Sequence, residues 1–214
     1  MMTRHPGGGP RIGGLFEGYG GLTMGVQRAL GGRLAWYAEN DPAAGEVLAH
    51  HHPGIPNLGD VTGVDWSGVE PVDILTGGPP CQDVSVAGRR KGMGPGTRSG
   101  LWSAMADAIE HLKPELVVIE NVRGILSANS PCDLECCPWC VGDGNTVGLR
   151  AFGRVLGDLA DIGYDARWCG LSASAVGAPH GRFRVFVVAS PAGHAHSGHR
   201  DGLARRRTHG ASGT

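Results

Sequence analysis

The chain has 214 residues, of which 41% are hydrophobic and 18% charged. That is enough apolar material for one packed domain with short additions, and it excludes a wholly disordered chain. The formal net charge of −1 supplies no overall basic footprint, so any role with nucleic acid must rest on local clusters.

In chain order, residues 1–10 read as a flexible lead-in, and Ile12–Phe16 as a strand that ends in a glycine-rich turn. Leu22–Leu30 has helical spacing, Leu34–Ala38 reads as a second strand and Pro42–His50 as a second helix. Asp73–Thr76 is a strand running into Gly77-Gly78-Pro79-Pro80, a run that can only be a turn. Over Ser99–Leu112, residues Leu101, Met105, Ala108, Ile109 and Leu112 share one helical face, and Glu115–Glu120 is a buried strand. Leu149–Ile162 is helical, Asp165–Leu171 and Arg182–Ala189 are the last strands, and residues 190–214 show no periodicity. Strands alternating with helices predict an α/β fold, Rossmann-like, with a mostly parallel sheet and helices on both faces. Ligands in such sheets bind beyond the carboxyl ends of the strands.

No apolar run approaches the roughly 20 residues that span a bilayer, and the N-terminus lacks the apolar core of a secretory signal. The expectation is a cytoplasmic protein without membrane contact, so its six cysteines are free, catalytic or metal-bound rather than disulfide-bonded.

Three features in series suggest an adenosine-containing cofactor. The turn Phe16-Glu17-Gly18-Tyr19-Gly20-Gly21 joins a strand to a helix, where glycine lets the backbone approach a ligand closely. Glu39 follows roughly 20 residues later at the end of the second strand, a spacing that suits ribose hydroxyls. Asp60, expected to follow a third strand, lies within reach of an adenine amino group. The trio does not by itself separate NAD from S-adenosylmethionine.

Cys81 stands in Gly78-Pro79-Pro80-Cys81-Gln82, just past a strand end. The prolines stiffen its approach. Neighbouring N–H groups and arginines would favour the nucleophilic thiolate, whereas a buried structural thiol is the commoner fate of a free cysteine. Gly-Gly-Pro-Pro-Cys-Gln resembles the signature of the DNA cytosine-C5 methyltransferases, and further likenesses follow in order. Phe16–Gly21 resembles that family's cofactor motif, Arg98-Ser99-Gly100-Leu101-Trp102 its arginine–glycine–leucine segment, and Glu120-Asn121-Val122 its acidic motif. Gly177-Ala178-Pro179-His180-Gly181-Arg182-Phe183-Arg184-Val185 resembles its late motif. The resemblance spans residues 11–189, which marks a catalytic domain.

The resemblance implies methyl transfer from S-adenosylmethionine to C5 of cytosine in double-stranded DNA, in a bacterial or phage restriction–modification setting. It implies Cys81 as nucleophile at C6, Glu120 at the N3/N4 edge and Arg184 near O2, with a protonated Glu120 favoured by burial at its strand end. Arg182 and Arg184 are expected on opposite strand faces, with Arg182 bracing the Cys81 loop. Phe16, Gly18, Gly20, Gly21, Glu39, Asn40, Asp60, Val61, Pro80 and Leu101 are the implied cofactor contacts. The target base must leave the duplex, and the glycine-rich, basic loop after Cys81 is implied to close over DNA through Gln82, Ser85, Arg89, Arg90 and Lys91. An ordinary solvated loop has the same composition.

Residues 127–148 hold a cysteine-rich insertion. Cys132, Cys136, Cys137 and Cys140 suffice for a structural zinc ion, although the adjacent pair is awkward for one tetrahedral site. A free or redox-sensitive cluster is the alternative. His180, where the family usually has Gln, reads as a loop residue. Where the family strand ends Asp-Leu-Phe, this one ends Gly14-Leu15-Phe16. A target-recognition domain and closing helix are not found after Ala189, which leaves a shortened enzyme, a split enzyme with a separate recognition subunit, or an inactive remnant. An RNA cytosine-C5 methyltransferase is a further alternative. A NAD-dependent oxidoreductase would leave Cys81, Glu120 and Arg184 unexplained.

Overall fold

In the computed structural model, residues 9–80, 100–126 and 151–193 are described. Six strands form one sheet: β1 (Arg11–Leu15), β2 (Arg33–Ala38), β3 (Ile74–Gly77), β4 (Leu116–Val122), β5 (Tyr164–Ser172) and β6 (Phe183–Pro191). Their spatial order is β2-β1-β3-β4-β6-β5. β1 pairs in parallel with β2 and β3, and β3 with β4. β6 runs antiparallel to both β4 and β5. One antiparallel strand therefore sits between parallel ones, in agreement with the mostly parallel sheet expected.

Among the described residues, four helices of eight or more residues pack on this sheet: α1 (Gly21–Leu30), α2 (Pro42–His51), α3 (Leu101–Leu112) and α4 (Ala151–Asp161). α2 starts where its sequence dictates, with the Asp41 carboxylate accepting from Ala44 N at 2.8 Å and proline in the first turn. Strand alternation divides the core. Leu15, Leu75, Val117 and Ile119 face α3 and α4 and join Trp102, Met105, Ile109, Phe152 and Leu159. Ile12, Ile74 and Val118 face the other way and receive Val26 of α1. Helices thus cover both faces. Leu48 of α2 packs on Leu34 and Tyr37 of β2. The buried indole of Trp102 donates to Asp158 Oδ2 at 2.9 Å and fastens α3 to α4.

Two boundaries differ from expectation. The third strand expected before Asp60 is a single parallel bridge, Tyr37↔Asn57. Prolines at 53 and 56 flank this stretch and cannot donate to a ladder. β6 continues to Pro191, and Ala192 N donates to Gly163 O, so ordered pairing passes residue 189.

Candidate active site

The turn after β1 is held in a shape that ordinary residues resist. Phe16 has φ 54° and is not glycine, while Gly18 and Gly20 have φ 53° and 81°. Positive φ suits glycine and strains phenylalanine, and such strain gathers at functional sites. Phe16 N is fixed by Ala38 O at 3.0 Å, and its ring lies between two cavities. The smaller, about 230 Å³, is lined by Phe16, Gly18, Glu39, Asn40, Asp60, Val61, Pro80 and Leu101, together with Ala38, Gly59 and Gly78. Eight of the ten expected cofactor contacts therefore share one concavity. Of the other two, Gly21 lines the larger cavity, and Gly20 is a buried residue of the turn beneath.

Both carboxylates in the smaller cavity are anchored by the backbone. Glu39 Oε2 accepts from Gly18 N at 2.7 Å and Oε1 from Asp41 N at 2.8 Å. Each oxygen keeps a lone pair for a hydroxyl. Asp60 caps a 3-10 turn over Val61–Gly63, accepting from Thr62 N and Oγ1. These bonds hold its carboxyl below the usual range, so it stays an acceptor. Asn57, which sequence reasoning did not single out, accepts from Glu39 N and Gly59 N and donates to Glu39 O, tying the two acidic segments together. Apolar walls with two anchored acceptors fit a purine ribonucleoside.

The larger cavity, about 900 Å³, opens on the other side of Phe16 and reaches Glu17, Gly78, Glu120, Arg182 and Phe186. Glu120 of β4 is ion-paired with Arg184 Nε of β6. The two strands are antiparallel, with Glu120 opposite Phe186 and Val122 opposite Arg184, so the pair is a diagonal contact on one face. Two expectations are corrected here. Glu120 is half-buried beside a guanidinium rather than enclosed. Arg182 and Arg184 do not face opposite ways, because residues two apart on extended chain share a face. Arg182 is exposed and lines the cavity that Glu120 also lines.

The loop that Arg182 is expected to brace begins at Cys81, outside the described residues; the segment that leads to it is held by Asn121. Its buried amide donates to Pro79 O at 2.8 Å and accepts from Val122 N at 2.8 Å. Asn121 was legible only as the middle of Glu-Asn-Val, because its partner lies 42 residues away. Cys81 follows Pro80 directly but lies outside the described residues, as do Gln82, Ser85, Arg89, Arg90 and Lys91 and the cysteines Cys132, Cys136, Cys137 and Cys140. Among the described residues, no group of three or more His, Cys, Asp or Glu side chains could hold a metal, and no helix is long and apolar enough to cross a membrane.

Glu17, in the turn after β1, is a buried acid. Its Oε1 accepts from Thr23 Oγ1 at 2.5 Å and Thr76 Oγ1 at 3.2 Å. Burial pushes its carboxyl up to about 7; the two threonine hydroxyls oppose that rise and the Glu39 charge adds to it.

The sheet with one inserted antiparallel strand, the strained turn at the end of β1 and the paired acid and arginine beside it define a Rossmann-like methyltransferase domain. The same fold occurs in the crystal structure of the S. pombe Dnmt2 methyltransferase, with a TM-score of 0.60 at 19% identity over 85% of this chain and 49% of that one. The C-5 cytosine-specific DNA methylase family matches residues 11–199, and the chain belongs to that family. The type II methyltransferase M.NlaIV of Neisseria lactamica is 30% identical over 82% of this chain and 40% of its own length. The DNA N-6-adenine-methyltransferase of Escherichia phage P1 is 38% identical over 51% of this chain and 17% of its own length. The chain thus spans about 40% of the length of M.NlaIV.

Proposed function

We propose that this chain carries the catalytic centre of an S-adenosylmethionine-dependent DNA cytosine-C5 methyltransferase, with Cys81 as nucleophile. The observation that carries the reading is the convergence of Glu120, Arg184 and the turn leading to Cys81 beside the strained Phe16–Gly21 segment. Glu39 and Asp60 would hold the ribose and adenine of the cofactor, with Phe16 and Leu101 as apolar walls. When bound, the cofactor supplies an electrophilic methyl group on a sulfonium.

Cytosine C5 is a weak nucleophile until C6 is saturated. Addition of the Cys81 thiolate to C6 would form the S–C6 bond and push electron density onto C5, which would take the methyl group as the sulfonium S–CH3 bond breaks and S-adenosylhomocysteine is released. Transfer of the C5 proton to water, with the S–C6 bond breaking to release the thiolate, would restore the C5–C6 double bond. Glu120 hydrogen-bonds the N3/N4 edge during addition, and Arg184 stabilises negative charge growing on O2. The pairing of Glu120 with Arg184 before the base arrives keeps both side chains aimed at one spot. The base reaches this site only when flipped from its stack, and the basic loop with Arg89, Arg90 and Lys91 would contact the flanking phosphates.

Cys81→Ser is expected to abolish methyl transfer to cytosine-containing DNA while leaving S-adenosylhomocysteine binding intact. A mutant that transferred methyl at the wild-type rate would refute the assignment. A structural zinc on Cys132, Cys136, Cys137 and Cys140 is the remaining part of this proposal. Metal analysis should find about one zinc per chain, and folded metal-free protein would remove it.

A further inference from the structure

Gly14 near the end of β1 and Glu17 in the turn that follows form one feature. Gly14 is a strand residue without a side chain, and Glu17 is a carboxylic acid inside a turn. A Cβ added at Gly14 would overlap the Glu17 carboxyl, which folds back over the strand instead of reaching solvent. The acid of residue 17 therefore stands where a side chain of residue 14 would project.

Its contacts join three elements. Thr23 lies in the first turn of α1 and Thr76 in β3, and both hydroxyls reach Glu17 Oε1. The hydroxyls also meet each other at 2.6 Å, and Thr76 Oγ1 lies 3.2 Å from Gly13 O of β1. All four residues are buried or in the strand core. Within the turn between these elements Phe16 has positive φ, which its own preference opposes, so tertiary contacts must hold it there. Thr76 also lies just before Gly77-Gly78-Pro79-Pro80, the segment that leads to Cys81.

We propose that the Glu17 carboxyl, filling the space vacated at Gly14, is a positioning residue that holds the Phe16–Gly21 turn in its ligand-binding shape through Thr23 and Thr76. The inference rests on the reading of that turn as the cofactor site. It makes Gly14 and Glu17 an interdependent pair, which neither an ordinary core glycine nor an incidental buried acid would be.

A double-mutant cycle tests it, with S-adenosylhomocysteine affinity read by calorimetry and ligand-free unfolding read by denaturant. Gly14→Ala alone is expected to weaken binding by roughly tenfold or more, because the new methyl group displaces the carboxyl. In a Glu17→Ala background the same change should cost less than about twofold, because the space is empty. Gly14→Asp combined with Glu17→Ala returns a carboxyl to that space and should restore affinity to within about threefold of wild type. Filling of volume alone would not give that rescue. Equal losses from Gly14→Ala in both backgrounds, in binding and in ligand-free unfolding, would overturn the proposal. Where a single variant binds too weakly to measure, the unfolding cycle decides, and additive effects there also overturn it. Wild-type protein that binds no S-adenosylhomocysteine would sink the cofactor reading together with this one, whereas wild-type binding with an additive cycle sinks this one alone.

Discussion

Asn121→Ala separates the positioning of the Cys81 turn from cofactor binding. The amide of Asn121 is buried and donates to Pro79 O, two residues before Cys81. Truncation leaves that carbonyl without its donor, at a cost of about 1–3 kcal/mol in folding. Neither cavity is lined by Asn121, so S-adenosylhomocysteine affinity should stay within about threefold, well under 1 kcal/mol. The reacting sulfur should suffer more. A displacement on the order of 1 Å at a reacting group costs roughly 100-fold in rate. The expected pattern is a modest fall in denaturant stability, unchanged calorimetric affinity and a large fall in single-turnover methyl transfer. Affinity and transfer falling in parallel would refute the separation, as would a wild-type transfer rate in a destabilised protein.

Glu17 gives a pH prediction. Its carboxyl is raised from 4.5 to about 7, chiefly by burial, so the folded chain holds this proton more tightly than the unfolded one. Its contribution to stability is complete below about 4.5 and is lost as pH rises through about 7, on the order of 3 kcal/mol in all. Denaturant unfolding at about pH 4 and about pH 8, the two sides of that window, should show the loss, and Glu17→Gln should flatten it; equal pH slopes in both proteins would refute the assignment. Glu39→Ala should weaken S-adenosylhomocysteine by roughly tenfold or more, since two backbone anchors and a ligand acceptor go together; unchanged affinity in calorimetry would remove Glu39 from the site. Ile109→Ala, fully buried on α3, should cost about 2–5 kcal/mol in denaturant unfolding, and a cost near zero would contradict the packing of α3 on the sheet.

Much of this architecture was readable along the chain because its signals are local. Apolar runs marked β1 to β4, and the spacing of Leu101, Met105, Ala108, Ile109 and Leu112 marked α3. The glycine turn, Glu39 and Asp60 proved to line a shared cavity with Phe16. What the sequence hid depends on contacts across the sheet. The insertion of β6 between β4 and β5 leaves no local trace, since the alternation of Phe183–Pro191 is the same in either direction. That insertion is what brings Arg184 onto Glu120 and puts Arg182 on the same side. The partner of Asn121 lies 42 residues away, and Glu17 joins nearby Thr23 to Thr76, 59 residues away, so neither role could be read from its motif alone. Asp60 shows a milder case: its backbone-capped carboxylate was expected after a strand, but prolines at 53 and 56 reduce that strand to one bridge.

The most direct test of the central claim is mass spectrometry of the protein after incubation with S-adenosylmethionine and DNA containing 5-fluorocytosine. Fluorine at C5 cannot leave as a proton does, so the thiolate cannot depart and the adduct persists. The account predicts a methylated fluorocytosine adduct mapped to the peptide carrying Cys81, lost in Cys81→Ser. An adduct on another cysteine, or none on protein that binds S-adenosylhomocysteine and this DNA, would contradict it.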